Sequence, residues 1–340
     1  MMKKGISLSF YFALLFFSPL HAAINKDGTG CIGDALCADR TLTGLYGSIT
    51  GSWLRPSETD IGMVTDSWQF TRPDGSTLDE DRPVEPDHEF EGSFTIGYDF
   101  ENSANSIEFN YYHLNNSTRA VNSARNNETL FTSYFFPGGT FPPLSIPGFV
   151  SDATLTYKVD QADLKLARKY TQFNRGFSLR PALGVRYAEL KHDFTFKAPG
   201  YVRSEFSGIG PMFSLDGSYN LGYGFHLLGY IDSSLLVGDT DANSFLGFNG
   251  TAFFKKPDNE RVVTTLTGRI GVDYTYAIRN QMSIAAEVGY QVSEYFNPFD
   301  LLRGNVTFTP NNVLVGAGIN DIITTNFSIS GPYVKIGVHA

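Results

Sequence analysis

FSLRPALGVRYAELKHDF, residues 177–194, sets Phe177, Leu179, Leu183, Val185 and Tyr187 on one series of alternate positions and Arg180, Arg186 and His192 on the other. Side chains of a β-strand point to opposite faces with a period of two, so this stretch predicts a strand with one apolar face and one face of fixed positive charge. Strands in globular proteins rarely exceed about ten residues. Here the pattern runs on for several more without a turn signal, so its surroundings must favour long strands.

The same pattern recurs. Phe90, Phe94, Ile96, Tyr98 and Phe100 alternate with Glu89, Glu91, Thr95 and Asp99; beyond ENSAN, Ile107, Phe109 and Tyr111 alternate with Glu108, Asn110 and Tyr112. A second hairpin sets Ile209, Phe213, Leu215 and Tyr219, then Phe225, Leu227, Ile231, Leu235 and Val237, against Asp216, His226 and Asp232. A third sets Val262, Leu266, Ile270 and Val272, then Ile284, Val288 and Tyr290, against Arg269, Asp273 and Glu287. Turns are short at one end of these hairpins. At the other end lie long polar or Gly/Pro-rich connections, expected at 55–88, 115–153, 194–204, 239–260 and 296–326. That asymmetry belongs to outer-membrane barrels, with tight periplasmic turns and long external loops. Past residue 23 no apolar run is long enough for a spanning helix, so a membrane role requires a barrel.

The expected fold is therefore an all-β, transmembrane, antiparallel up-and-down barrel of about ten strands, near 41–54, 89–101, 104–114, 154–171, 176–193, 205–219, 224–238, 261–277, 281–295 and 327–340. NVTFT and NVLVGAG, inside the last long connection, would add a hairpin and raise the count to twelve. In the fourth strand Leu155, Tyr157 and Val159 take one parity and Leu164 and Leu166 the other; a bulge near Gln161 would restore a single apolar face.

Lys3 and Lys4, an apolar run from Ile6 to Phe17 and the small residues Ala22 and Ala23 read as a secretory signal peptide over 1–22. Residues 23–40 form an N-terminal periplasmic segment and 41–340 the barrel. The formal net charge of −9, or −11 once Lys3 and Lys4 leave, argues against nucleic acid as a partner. Export lets Cys31 and Cys37 pair, within the chain or between chains. Two thiolates without a nearby His make half a metal-ligand set, so no metal is expected there. The acidic stretch TRPDGSTLDEDRPVEPDHEFEG lacks the calcium-loop spacing and reads as a solvated loop.

DLKLARKYTQ, FSLRPALGVRYAELKHDF, FSGIGPMFSLDGSYNLGYGFHLLGYIDSSLLVG and AAEVGYQVSEYF resemble segments of the Legionella-type major outer-membrane protein family, with LRPALGVRYA and GIGP the most specific. The resemblance covers most of 155–300. It implies an outer-membrane barrel with pore-forming activity. The expected function is passive diffusion of small solutes or ions and the expected surroundings are outer-membrane lipid and lipopolysaccharide; a homo-oligomer is left open. The C-terminal YVKIGVHA departs from the terminal aromatic that such barrels typically carry.

The alternation puts Arg180, Arg186, Arg269, Asp216, Asp232, Asp273 and Glu287 in the lumen, and Leu183, Val185, Leu215, Ile231, Ile270 and Val288 toward lipid. Rings of fixed charge bias ion passage. In a closed interior the same residues form a salt-bridge ladder, with Arg186 bridged to an acid such as Asp216 or Asp232; ten strands lie nearer the filled eight-stranded barrels than the wide porins. A closed barrel acting through its long loops as an adhesin or receptor is the alternative function, and FFPGGTFPPLSIPGF is the segment that motivates it. A barrel hydrolase using His192, His226, Asp216 or Asp232 is the third class. No nucleophile motif accompanies these residues, and neither an enzyme nor a cofactor is expected.

Overall fold

The computed structural model describes residues 31–32, 36–39, 43–58, 67–71, 74, 76–81, 85–123, 150–172, 176–196, 200–246, 252–279, 282–308 and 314–340. Ten long strands make the fold: β1 (Gly44–Glu58), β2 (Glu89–Asp99), β3 (Asn105–Ser123), β4 (Val150–Arg168), β5 (Phe177–Phe196), β6 (Gly200–Gly222), β7 (Phe225–Leu246), β8 (Ala252–Arg279), β9 (Met282–Phe308) and β10 (Leu314–His339). Each strand pairs antiparallel with the next, and β10 pairs with β1, so the sheet closes and neither of those strands is left as an open edge. An even count brings both ends of the barrel to one rim, where the Ala340 amide donates to the Leu45 carbonyl at 2.9 Å. The tight turns lie at this rim too. Gly222-Tyr223-Gly224 joins β6 to β7 with φ of 95°, 54° and 84°, a left-handed run that two glycines make feasible.

The segment before the barrel docks at the same rim. Cys31–Ile32 pairs with Leu36–Ala38, which continues onto Tyr170–Gln172 and thence to the start of β5. Cys37 is disulfide-bonded and stands opposite Cys31, the chain's other cysteine. The expected signal peptide over 1–22 lies outside the described residues, as do Asn126 and the apolar stretch before Val150.

Two expectations need correction. Much of 194–204, 239–260 and 296–326 is strand rather than loop: β5 through β10 run up to 28 residues and pair far beyond the apolar band. NVTFT and NVLVGAG lie largely within the outer ends of β9 and β10 and pair with each other, so the barrel count stays at ten. Nor is there a bulge near Gln161. The β3–β4 and β4–β5 registers run unbroken past it. Leu164 and Leu166 face outward at 51% and 50% exposure, whereas Leu155, Tyr157 and Val159 face inward and are buried.

One physical change explains both. Within the membrane the surroundings are apolar and the outward face must be apolar; beyond it the surroundings are water, and the apolar face must turn inward to be buried. In β4 and β5 the parity of the sequence inverts where the strand leaves the membrane. In β5, Val185 and Tyr187 face lipid, then Ala188, Leu190 and Phe194 face the interior while Glu189, Lys191 and Asp193 face out. Those outer charges are paired: Lys191 with Glu189 and Glu205 at 2.6 and 3.0 Å, Arg203 with Asp193 at 2.8 Å. Leu114, Val159, Leu190 and Phe206 are successive register partners across β3–β6, and all are fully buried, forming one interior belt.

Candidate functional site: the barrel lumen

Through the membrane layer the lumen is filled by opposite charges, most of them register partners on adjacent strands. Arg186 donates to both Asp163 oxygens at 2.8 and 2.9 Å. Lys165 faces Glu108 at 3.3 Å, Arg180 faces Asp216 at 3.1 Å, and Lys335 faces Glu287 at 3.2 Å. Near the tight-turn rim, His226 is hydrogen-bonded to Asp273 at 3.0 Å and His339 to Asp99 at 3.1 Å. Directly opposed unlike charges stabilise a sheet pair, so the Arg186–Asp163, Lys165–Glu108, Arg180–Asp216 and Lys335–Glu287 pairs help to set the register.

Other contacts cross the bore. Arg180 on β5 reaches Tyr46 on β1 at 2.7 Å and Glu108 on β3 at 2.9 Å. Arg186 reaches Thr265 on β8 at 3.0 Å, and Tyr295 on β9 donates to Gln161 on β4 at 2.8 Å. Tyr230, two strands away on β7, and Tyr333, on the adjacent β10, both donate to Glu287, at 3.1 and 2.5 Å. Gly271 and Gly289 make the second approach feasible, because a Cβ at either would stand within 2.8 Å of the Tyr333 hydroxyl. The middle of the column is looser. Asp232 lies 3.9 Å from Lys165 and 3.7 Å from Arg269, and its Oδ1 and the Arg269 Nε have no hydrogen-bond partner among the described residues.

Above the charges, at the outer end, lies an aromatic layer. Phe299 contacts His192 and Tyr157, with ring centres 5.7 and 6.5 Å apart; Phe327 contacts Tyr157, Phe299 and Tyr295 at 5.1, 5.5 and 6.0 Å. β4 and β5 stand across the barrel from β9 and β10. These rings therefore span the bore. Burial pushes the His192 imidazole down to about 3 and the Glu58 carboxyl up to about 8, the latter against a hydrogen bond from Tyr157.

A family model described as the Legionella pneumophila major outer membrane protein precursor matches residues 48–340. The chain belongs to that family. Members of the Legionella pneumophila major outer membrane protein family are outer-membrane proteins by description, and a closed barrel with an apolar outer band places this one in the same membrane. No curated protein matches the chain. Among solved structures it is similar to the outer membrane protease OmpT from Escherichia coli, at 11% identity over 88% of this chain and 98% of that one, with a TM-score of 0.45. The Pseudomonas putida toluene transporter TodX (8% identity, 87% and 89% covered, TM-score 0.31) and a Pseudomonas aeruginosa FadL homologue (7%, 88% and 90%, 0.26) are more distant. At these scores the likenesses carry no functional argument.

In this family member, Arg180, Arg186, Arg269, Asp216, Asp232, Asp273 and Glu287 all point inward. Leu183, Val185, Leu215, Ile231, Ile270 and Val288 lie on the outward parity, with Val185, Ile231, Ile270 and Val288 about half exposed or more. The partner of Arg186 is Asp163, rather than Asp216 or Asp232. Four hydrolase candidates are dispersed: His192 sits in the aromatic layer, His226 is at the tight-turn rim, and Asp216 and Asp232 pair with lumen cations. Among the described residues no cluster of metal-ligating side chains occurs. The alternation pattern does not single out Asp163, Lys165, Lys335, Tyr46, Tyr230 or Tyr333. Asp163 and Lys165 interleave with Leu164 and Leu166, the signal that could have found them once the bulge is set aside.

Proposed function

We propose that the protein is a narrow pore-forming barrel for small ions and polar solutes, with its lumen closed in the form described. One observation carries this reading: the column of charge that runs through the membrane layer, with Lys165, Asp232 and Arg269 at its loosely held centre. Buried ion pairs are poor stabilisers, since desolvating two charges cancels most of their attraction and apolar packing serves as well. Ionisable groups retained at membrane depth therefore favour a role in moving charge. Asp232 and Arg269, which leave hydrogen-bonding atoms unused, are the groups best placed to exchange partners with a passing ion.

A second reading, a closed barrel serving as an adhesin or receptor, is favoured by the apolar belt and aromatic layer that fill the outer half. Neither reading gives the chain an enzymatic role. Planar-bilayer recording separates them. The pore reading expects current steps whose selectivity shifts toward anions in Asp232→Asn and toward cations in Arg269→Gln. Folded protein that passes no current at any voltage, with or without these substitutions, favours the adhesin.

A further inference from the structure

The outer ends of β9 and β10 do not continue the barrel wall. The last β8–β9 pair is Thr264 with Phe296, although β8 itself runs outward to Ala252 against β7. The last described β10–β1 pair is Phe327 with Glu58, where the described part of β1 ends. Among the described residues, the two arms beyond these points pair only with each other. The departure is marked by a two-residue register shift between Tyr295 and Phe299, with Asn297 at φ 57° and its amide held by Asn326 Oδ1 at 2.9 Å. A strand in a barrel wall alternates buried and exposed residues. Here Pro298, Phe299, Asp300, Leu301 and Leu302 are buried in succession, which requires cover on both faces.

That cover comes from inside the mouth. Phe299 lies on Tyr157 and His192 of the far wall. Asp300, fully buried, accepts from Lys256 at 2.6 Å and from Arg261 at 2.6 and 2.8 Å, and its amide donates to Ser204 Oγ of β6 at 2.9 Å. Arg261 also donates to the Asn297 carbonyl at 3.0 Å, so one side chain holds both the bend and the arm beyond it.

We propose that the paired arms 299–308 and 314–325 form a lid hinged at Asn297–Pro298, latched over the barrel mouth by Asp300 on Lys256, Arg261 and Ser204. Its role as the gate of a conducting lumen rests on the pore reading above; its hinged motion does not. An ionic latch suits a lid because its strength depends on keeping every partner in place. With one partner lost, the others are left as buried, uncompensated charge, and opening to water relieves them. An apolar seal of the same area has no comparable release.

Two measurements test the lid separately from the pore. Cys37 is disulfide-bonded, so Ala188→Cys, in the buried interior of β5 and outside the latch, introduces a reporter thiol beneath the paired arms. Adding Asp300→Asn, or Lys256→Gln should the first variant fail to fold, is expected to raise its labelling by a membrane-impermeant thiol reagent. The rise should be roughly tenfold or more, since labelling through local opening follows the opening equilibrium. Unchanged labelling in folded variants overturns the lid. In bilayers, an oxidised Ser204→Cys/Asp300→Cys pair should suppress current that reduction restores. Current indifferent to that bond overturns the gate. If labelling rises while no variant conducts, the lid stands and the pore reading falls.

Discussion

Arg186 donates two bonds to Asp163 with both side chains almost fully buried, a geometry in which removing one partner costs far more than removing both. Arg186→Leu should destabilise the barrel by about 3–5 kcal/mol, and the Arg186→Leu/Asp163→Leu double variant should recover most of that loss. Denaturant unfolding in micelles, read by heat-modifiable gel migration, checks both. On the opposite face Leu183→Arg places a charge among acyl chains and should cost about 2–4 kcal/mol near the midplane. A Leu183→Arg protein as stable as its parent would mean that the faces are reversed. Above the membrane, Glu58 and His192 set opposite pH limbs. Glu58 is raised to about 8, so its stabilising contribution is full below the ordinary value of 4.5 and is lost as pH rises through 8. His192 is lowered to about 3, so its contribution is full above 6.5 and is lost as pH falls toward 3. Glu58→Gln should flatten the alkaline limb and His192→Phe the acid one in unfolding midpoints measured across pH.

At the scale of a strand, β4 holds the most informative element. Its two apolar runs lie on opposite parities without a bulge, because one run meets lipid outside and the other meets the interior belt. Both ladders of β4 are continuous through Gln161, so deleting that residue would turn either Leu155, Tyr157 and Val159 or Leu164 and Leu166 to the wrong face. The deletion should abolish the heat-modifiable folded band. A bulged strand would tolerate it, and a normally folded deletion variant would restore that alternative.

Across the whole molecule, tight turns gather at one rim and the strand ends Glu58, Ser123 and Val150, which flank the longest intervals of sequence between barrel strands, at the other. A protease site inserted at Asn126 should be cut on intact cells, and one at Asn280 should not. Equal cleavage would contradict the orientation. The tight-turn rim carries the segment held by the Cys37 disulfide, and unreduced protein should therefore offer no alkylatable thiol.

The class, closure and strand count were legible in the sequence because a period of two with one apolar face is a local property, and lipid enforces it residue by residue. FSLRPALGVRYAELKHDF carried the membrane strand in Leu183, Val185 and Arg186, and the inversion beyond it in Ala188, Leu190 and Phe194. What it could not carry was the pairing. Arg186 meets Asp163 through register with β4, Arg180 meets Tyr46 across the bore, and Phe299 meets His192 only because β9 bends into the mouth at Asn297. Each depends on where distant strands stand when the sheet closes. Alternation tells a side chain which face it takes, while closure of the barrel decides what stands opposite, and so whether the lumen is a channel or a column of paired charge under a lid.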